Sequence, residues 1–345
     1  VQQLNELGFY GMAGAARDPK ALLGDVRDAE RIGLGSVFLS ERFNVKEAVT
    51  LSGAVGAATT TLGIATGATN HNTRHPIVTA SFATTMHKLT DGRFALGFGR
   101  GIAPLFKAFG LPSITTAQLE DIALLLRKLW ADEMVFGHDG PAGTYPFLRV
   151  DWGGDGATIP LLLTAFGPNS LALGGRVYDG VILHTFFTDE TLARCVATIR
   201  GAAEQAGRDP DDVRIWSCLA TIGDHIPYEL RLKKTVGRLA TYLQAYGDLM
   251  VETNNWDPAA LATFRASDAV TSIPGAIDDI ATTEQLERVA EVIPTEWLAP
   301  AATGTPTQCV DVIQRQFELG ATGVILHGAT PTELEPIVEA YRARR

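Results

Sequence analysis

The chain has 345 residues, 46% of them hydrophobic and 20% charged, an ordinary composition for a folded globular protein. Its formal charge of -10 argues against a nucleic-acid partner, whose phosphates call for a positive face. No apolar run reaches the roughly 18 residues of a membrane span and no signal-peptide pattern opens the chain, so a cytoplasmic location away from membranes is expected. The chain begins at Val1 rather than Met, and a trimmed N-terminus is expected. Cys195, Cys218 and Cys309 are isolated and odd in number, which gives no disulfide or metal framework; they read as small buried hydrophobes in a reduced compartment.

In chain order, a first strand is expected near 7–12. Asp18-Pro19 then reads as a helix cap followed by proline at the first helical position, with Leu22, Val26 and Ala29 on one face. "IGLGSVFL" (32–39), "VYDGVIL" (177–183) and "LGATGVIL" (319–326) resemble one another: a turn-forming glycine, then a short strand of Val, Ile and Leu. Such wholly apolar strands between helices suit a parallel sheet covered on its outer face. Further strands are expected near 35–40, 62–67, 93–98, 160–165, 180–184, 213–222 and 322–327. Leu119, Ile122, Leu126 and Leu129 form a helical stripe, and "TPTQ" (305–308) reads as a capping box with Thr305 as cap.

Eight strand–helix units in this order are best read as one closed (β/α)8 barrel spanning 1–345, with irregular inserts at about 133–158 and 228–300. An open doubly wound sheet is the runner-up. Its dinucleotide fingerprint is not convincingly present, since "GFGRGI" spaces its glycines two and two.

In such a barrel the site is built just beyond the C-terminal strand ends. Those positions hold Glu41 and Arg42 after strand 2, and Asn70 and His71 after strand 3 within "NHNTRHP" (70–76). Arg100 follows strand 4, Gly167 to Ser170 follow strand 5, His184 ends strand 6, and His327 ends strand 8. "SERF" (40–43) also has a bland reading as a surface ion pair. Arg74 and His75, just before Pro76, read equally as polar groups that open a helix. Gly99 and Gly101 in "FGRGI" let the backbone approach something closely. "FGPNS" (166–170) opens a helix whose amides suit a phosphate or other anion, the alternative being an ordinary capped turn. No H-E-x-x-H, CxxC, G-x-S-x-G or Walker loop appears, so no metal is expected and any chemistry points to a bound organic cofactor.

These residues resemble the luciferase-like monooxygenase superfamily, and within it the branch that uses the deazaflavin coenzyme F420. The resemblance is best at "GATNHNTRHPIVTASFATTMHKLTDGRFALGFGRG" (67–101). It recurs at "LLLTAFGPNSLALGGRVYDGVIL" (161–183) and "TGTPTQCVDVIQRQFELGATGVIL" (303–326), and "TRHP" beside "GAT" is similar to the methylene-tetrahydromethanopterin reductases. It implies an insertion-bearing barrel, a homodimer, and a non-proline cis peptide in a bulge ending strand 3, by position Gly67–Ala68. In this family the bulge backs the cofactor ring. By motif match Gly67, Ala68, Thr69 and Asn70 would touch the ring or its side chain. Arg100 and Gly101 would meet the ring and tail, and Gly167, Pro168, Asn169 and Ser170 the phosphate. Glu41 and Arg42 would be ring or substrate contacts.

Two departures matter. The sugar-phosphate dehydrogenases of this branch carry an acid–base His where Arg42 stands and a Glu where Ile102 stands. Arginine stays protonated and cannot serve as a general base. Hydride transfer to a carbonyl, enone or C=N bond is therefore expected ahead of alcohol oxidation, with His71, His184 and His327 as remaining proton donors. An FMN-dependent monooxygenase and a non-catalytic cofactor-binding homologue are the alternatives. The second insert is expected to set the substrate: Tyr242, Tyr246, Met250 and Trp256 would wall a pocket, or equally a helical core. "HDGPAGTYPF" (138–147) reads as a flexible loop over the barrel mouth.

Overall fold

Apolar strands of three to ten residues, each followed by helix, suit a parallel sheet closed into a barrel. A computed structural model, which describes residues 2–14, 16–43, 45–151 and 158–345, has it: eight parallel strands alternate with helices in a closed (β/α)8 barrel. The barrel strands are β1 (Leu4–Tyr10), β2 (Leu34–Leu39), β3 (Gly63–Thr66), β4 (Phe94–Phe98), β5 (Leu161–Thr164), β6 (Gly180–Ile182), β7 (Arg214–Gly223) and β8 (Gly323–His327). All eight fall where the sequence pattern put them, the first displaced by three residues at its start.

By internal contacts the chain divides into two compact units. The first comprises 1–34, 184–196 and 216–345. In it β1 pairs with β8 from Leu7↔Val324 to Phe9↔Leu326, and β8 pairs with β7 from Gly323↔Trp216 to His327↔Ala220. A short strand, Ala302–Gly304, extends β7 at Thr221 to Gly223. The second unit comprises 35–183 and 197–215. There β2 pairs with β3, β3 with β4, β4 with β5 and β5 with β6, all parallel.

Local signals place the helices. Asp18 caps Pro19–Arg31 by accepting from the Lys20 amide, and Leu22, Val26 and Ala29 are buried. Thr115 and Gln118 form a reciprocal capping box on Thr116–Trp130, whose buried face includes Leu119, Ile122, Leu126 and Leu129. Thr305 and Gln308 do the same for Pro306–Glu318. The three cysteines are buried and unbridged. Among the described residues no helix is long and apolar enough to cross a membrane.

Two expectations are corrected. Residues 138–147 do not form a flexible loop: Val135–Gly140 and Gly143–Leu148 make an antiparallel hairpin. Phe136 and Phe147 face each other across it, ring centroids 4.9 Å apart, while Pro141 and Ala142 make a two-residue turn. Asp121 fastens the turn, accepting from the Ala142 amide at 2.8 Å and meeting His138 Nε2 at 3.1 Å. Residues 152–157 of that insert lie outside the described residues. The second insert is not irregular but helical, with Arg238–Asn254, Pro258–Ala266 and Thr283–Ala290 as its longer helices. Its caps, Asp257 before Pro258 and the Thr282/Gln285 box, were there to be read.

Candidate active site

In the second unit β3 does not run straight into its helix. Ala65 pairs with Ala95 and Thr69 with Phe98, so four steps along one strand answer three along the other, and one residue is extra. The Gly67–Ala68 peptide in this bulge is cis, at the position expected. Backbone bonds hold it from both sides. The Gly67 amide donates to Leu39 O at 2.8 Å and the Ala68 carbonyl accepts from Glu41 N at 3.0 Å. Thr69 N donates to Gly97 O at 2.9 Å, and Gly99 N donates to Thr69 O at 2.8 Å. The Thr66 hydroxyl fills the interrupted ladder, accepting from Gly97 N (2.7 Å) and donating to Gly97 O (2.9 Å).

This geometry explains glycines on β4 and its following loop. A Cβ on Gly97 would stand 2.0 Å from Thr66 O. One on Gly99 would stand 2.4 Å from Thr164 Oγ1 and 3.2 Å from the Ala68 Cβ. What the backbone approaches closely here is the bulge itself. Gly101 has a positive φ of 67° with the Phe106 ring packed where its side chain would be.

Glu41 is committed to the same bulge. Its side chain is 1% exposed, and Arg74, 15% exposed, grips it with Nη2 on Oε1 at 2.6 Å and Nη1 on Oε2 at 3.1 Å. The Thr69 hydroxyl and Asn70 Nδ2 also donate to Oε2. Arg74 reaches Glu47 too, whose carboxylate caps Ala48–Ala58 through the Val49 and Thr50 amides. Burial opposes the Arg74 charge, but the Glu41 and Glu47 carboxylates outweigh it and hold its pKa above the usual arginine value. Arg74 is thus the partner the sequence reading missed. Arg42 is half-buried in a tight turn, its amide on Lys46 O at 3.1 Å. His71 is buried, and burial lowers its pKa; its Nε2 is buried with no hydrogen-bond partner.

A second element joins the loop after β4 to the turn after β5. Arg100 donates from Nη1 to Ile114 O (2.7 Å) and from Nη2 to the hydroxyls of Thr116 (2.5 Å) and Ser170 (3.1 Å). Pro168–Val177 starts there with Gly167 at its cap, and no side chain caps it. A Cβ on Gly167 would meet nothing within 4 Å. An open helix start beside a guanidinium is anion-binding chemistry.

The first unit carries a different cluster. His184 Nδ1 lies 3.0 Å from Thr185 O and Nε2 lies 3.1 Å from the Tyr246 hydroxyl. Burial pulls its pKa down to about 4. Tyr242 and Tyr246 stack at 5.5 Å, both edge-on to the His184 ring. The Tyr242 hydroxyl is 3.4 Å from His327 Nε2, and His327 also packs edge-on to Tyr10. Trp256 stands apart from this group, buried and stacked on Trp297 at 4.6 Å. Met250 is fully buried, as the core reading of that helix required. Among the described residues no group of three His, Cys, Asp or Glu is placed to hold a metal ion.

The profile of one family, described as luciferase-like monooxygenase, matches residues 6–323. The chain belongs to the luciferase-like monooxygenase family. Among its curated relatives, the 5,10-methylenetetrahydromethanopterin reductase of Methanolobus tindarius is 24% identical over 308 residues, covering 86% of each chain. The F420-dependent glucose-6-phosphate dehydrogenase of Beutenbergia cavernae is 27% identical over 331 residues, covering 90% of this chain and 87% of the other. In structure, the coenzyme F420 dependent tetrahydromethanopterin reductase of Methanopyrus kandleri superimposes with a TM-score of 0.82 at 17% identity, covering 100% of this chain and 99% of that one. That likeness establishes the barrel fold in this luciferase-like chain.

Proposed function

We propose that the protein is an oxidoreductase using coenzyme F420 to move hydride to or from a small organic substrate of the carbonyl, enone or C=N type. The bulge at Gly67–Ala68 carries this reading, because the chain spends three strand ends and the Glu41–Arg74 pair on fixing it. Relatives named for F420 or tetrahydromethanopterin, each matched over most of its length, support it.

The residues fit a deazaflavin. Gly67, Ala68, Thr69 and Asn70 supply a wall of backbone and small polar groups for the ring. Asn70 is pre-set, its Oδ1 accepting from the Thr73 amide and hydroxyl. His71 offers a neutral imidazole with one nitrogen unspent. Arg42 is a permanent cation suited to a ring that becomes anionic on reduction. Arg100, Gly101 and the uncapped turn Gly167 to Ser170 suit the phosphate of the side chain. When bound, the cofactor supplies or receives the hydride; these side chains bind and orient it. Glu41 is reassigned in this reading from contact to support, since its carboxylate is spent on Arg74, Thr69 and Asn70.

Titration of the protein with F420 and, in parallel, with FMN, followed by ring fluorescence, tests the proposal. Saturable F420 binding in the micromolar range is expected; none at tens of micromolar would sink it. Preferential FMN binding with oxygen consumption would favour a monooxygenase, the second reading, for which the family description speaks.

A further inference from the structure

In the second unit β4 runs into a segment that cofactor binding leaves unexplained. From Gly101 to Pro112 the chain reads "GIAPLFKAFGLP", with Lys107 its single charged residue. Ala103–Ala108 is helical, and the coil continues to Phe109, whose amide donates to Leu105 O at 2.9 Å. Phe106 is buried, its ring packed where a Gly101 side chain would be. Leu105 and Phe109, four residues apart and so on one side of the coil, stay 42% and 50% exposed. The residue after Arg42 joins them. Phe43, 39% exposed, sets its ring 6.1 Å from Phe106 at 38° and 6.4 Å from Phe109 at 73°.

These rings are tied to the bulge region at both ends of their segment. It begins at Gly101, two residues after Gly99, where an added Cβ would stand 3.2 Å from that of Ala68. Its far end is held by Asn72 Nδ2 on Pro112 O at 2.8 Å and by Arg100 Nη1 on Ile114 O at 2.7 Å. An apolar surface is therefore anchored beside the wall assigned to the cofactor, not trailing from it.

We propose that Phe43, Leu105, Phe106 and Phe109 form a platform for the apolar body of the substrate, and that this body is an uncharged aromatic or fused-ring group carrying the carbonyl or enone. This names the substrate class for the oxidoreductase reading above and rests on it. Rings inclined at 38° and 73° leave a corner in which a flat molecule can stack on one face and meet another ring edge-on. Lys107 stands two positions from both Leu105 and Phe109, on another side of the coil, so it offers that corner no charge for a phosphate or carboxylate. Size decides against a second copy of the chain as the occupant. At roughly 200 Å² per large apolar side chain, the exposed fractions amount to roughly 250 Å², against about 800 Å² per partner in a stable dimer. A fused-ring molecule covers that much.

The test begins without cofactor, on the full chain labelled with para-fluorophenylalanine; Phe43→Leu and Phe109→Leu assign the two signals. Titration with naphthyl methyl ketone is expected to shift both signals saturably, and glycerol phosphate to leave them in place. A ketone that moves neither signal, or glycerol phosphate that moves both, overturns the platform. Phe109→Ala alters an exposed side chain and is expected to weaken ketone binding about 10-fold, while Phe109→Tyr retains it and Lys107→Ala leaves it unchanged. An unchanged Kd in Phe109→Ala, or a comparable loss in Lys107→Ala, also overturns it. Sedimentation identifies the rival occupant: if Phe109→Ala dissociates a dimer and leaves the ketone Kd intact, the face is an interface between copies and the proposal fails. Titration with F420 keeps the two readings apart. No F420 binding by a protein whose Phe43 and Phe109 signals answer the ketone sinks the oxidoreductase reading alone. F420 binding by a protein whose signals stay silent to the ketone, with and without F420, sinks the platform alone.

Discussion

Two strand-end clusters on one barrel solve opposite problems. The group beyond β2 and β3 is ionic and closed: Glu41, Arg74, Glu47, Thr69 and Asn70 satisfy one another around a backbone bulge. The group around His184 and His327 is built from imidazole and phenol: Tyr246 meets His184 Nε2 and Tyr242 meets His327 Nε2. Closed charge fixes a shape, because breaking any one bond strands a buried ion. Hydroxyl–imidazole contacts at 3.1 and 3.4 Å strand no carboxylate or guanidinium when broken.

The sharpest break of this contrast is Arg74→Met. It strands the Glu41 carboxylate and is expected to cost about 3–5 kcal/mol in urea unfolding. Adding Glu41→Gln should return a substantial part of that loss; strict additivity would mean the pair is not the lock described here.

A second test is pH. Unfolded His184 takes its proton near 6.5 and the folded one near 4, so between those values the unfolded chain holds more protons. Stability from this group is therefore complete above pH 6.5 and lost as pH falls towards 4, by at most about 3 kcal/mol. Buried His71, shifted the same way, adds to the slope. Thermal unfolding across that window should show a shallower fall for His184→Asn. An identical slope would mean the imidazole is not held neutral by its surroundings.

The smallest effect expected is from Thr66→Val, which keeps the shape and deletes the hydroxyl that serves both Gly97 groups. About 2 kcal/mol of stability should go, together with weaker F420 binding if the bulge backs the ring. Stability lost with affinity intact would separate the bulge from the cofactor.

Much of this was written in local pattern. Strand positions and the proline- and threonine-capped helices are legible because propensity and capping act over four or five residues; the bulge at Gly67 came only from the resemblance to a family. The hairpin was misread because Gly and Pro in "HDGPAGTYPF" mark a turn equally in a loop and in a hairpin, and its partner Asp121 lies seventeen residues upstream of His138.

By itself the sequence determined an alternation of apolar strands and helices with polar groups at the strand ends, best read as a (β/α)8 barrel with an open doubly wound sheet as runner-up, because strand and helix periods are local. Only the tertiary structure decided which partners those groups take. Arg74 finds Glu41 from 33 residues away and Tyr246 finds His184 from 62. A polar group takes whichever partner the packed chain brings within hydrogen-bond distance, and no local spacing encodes that meeting.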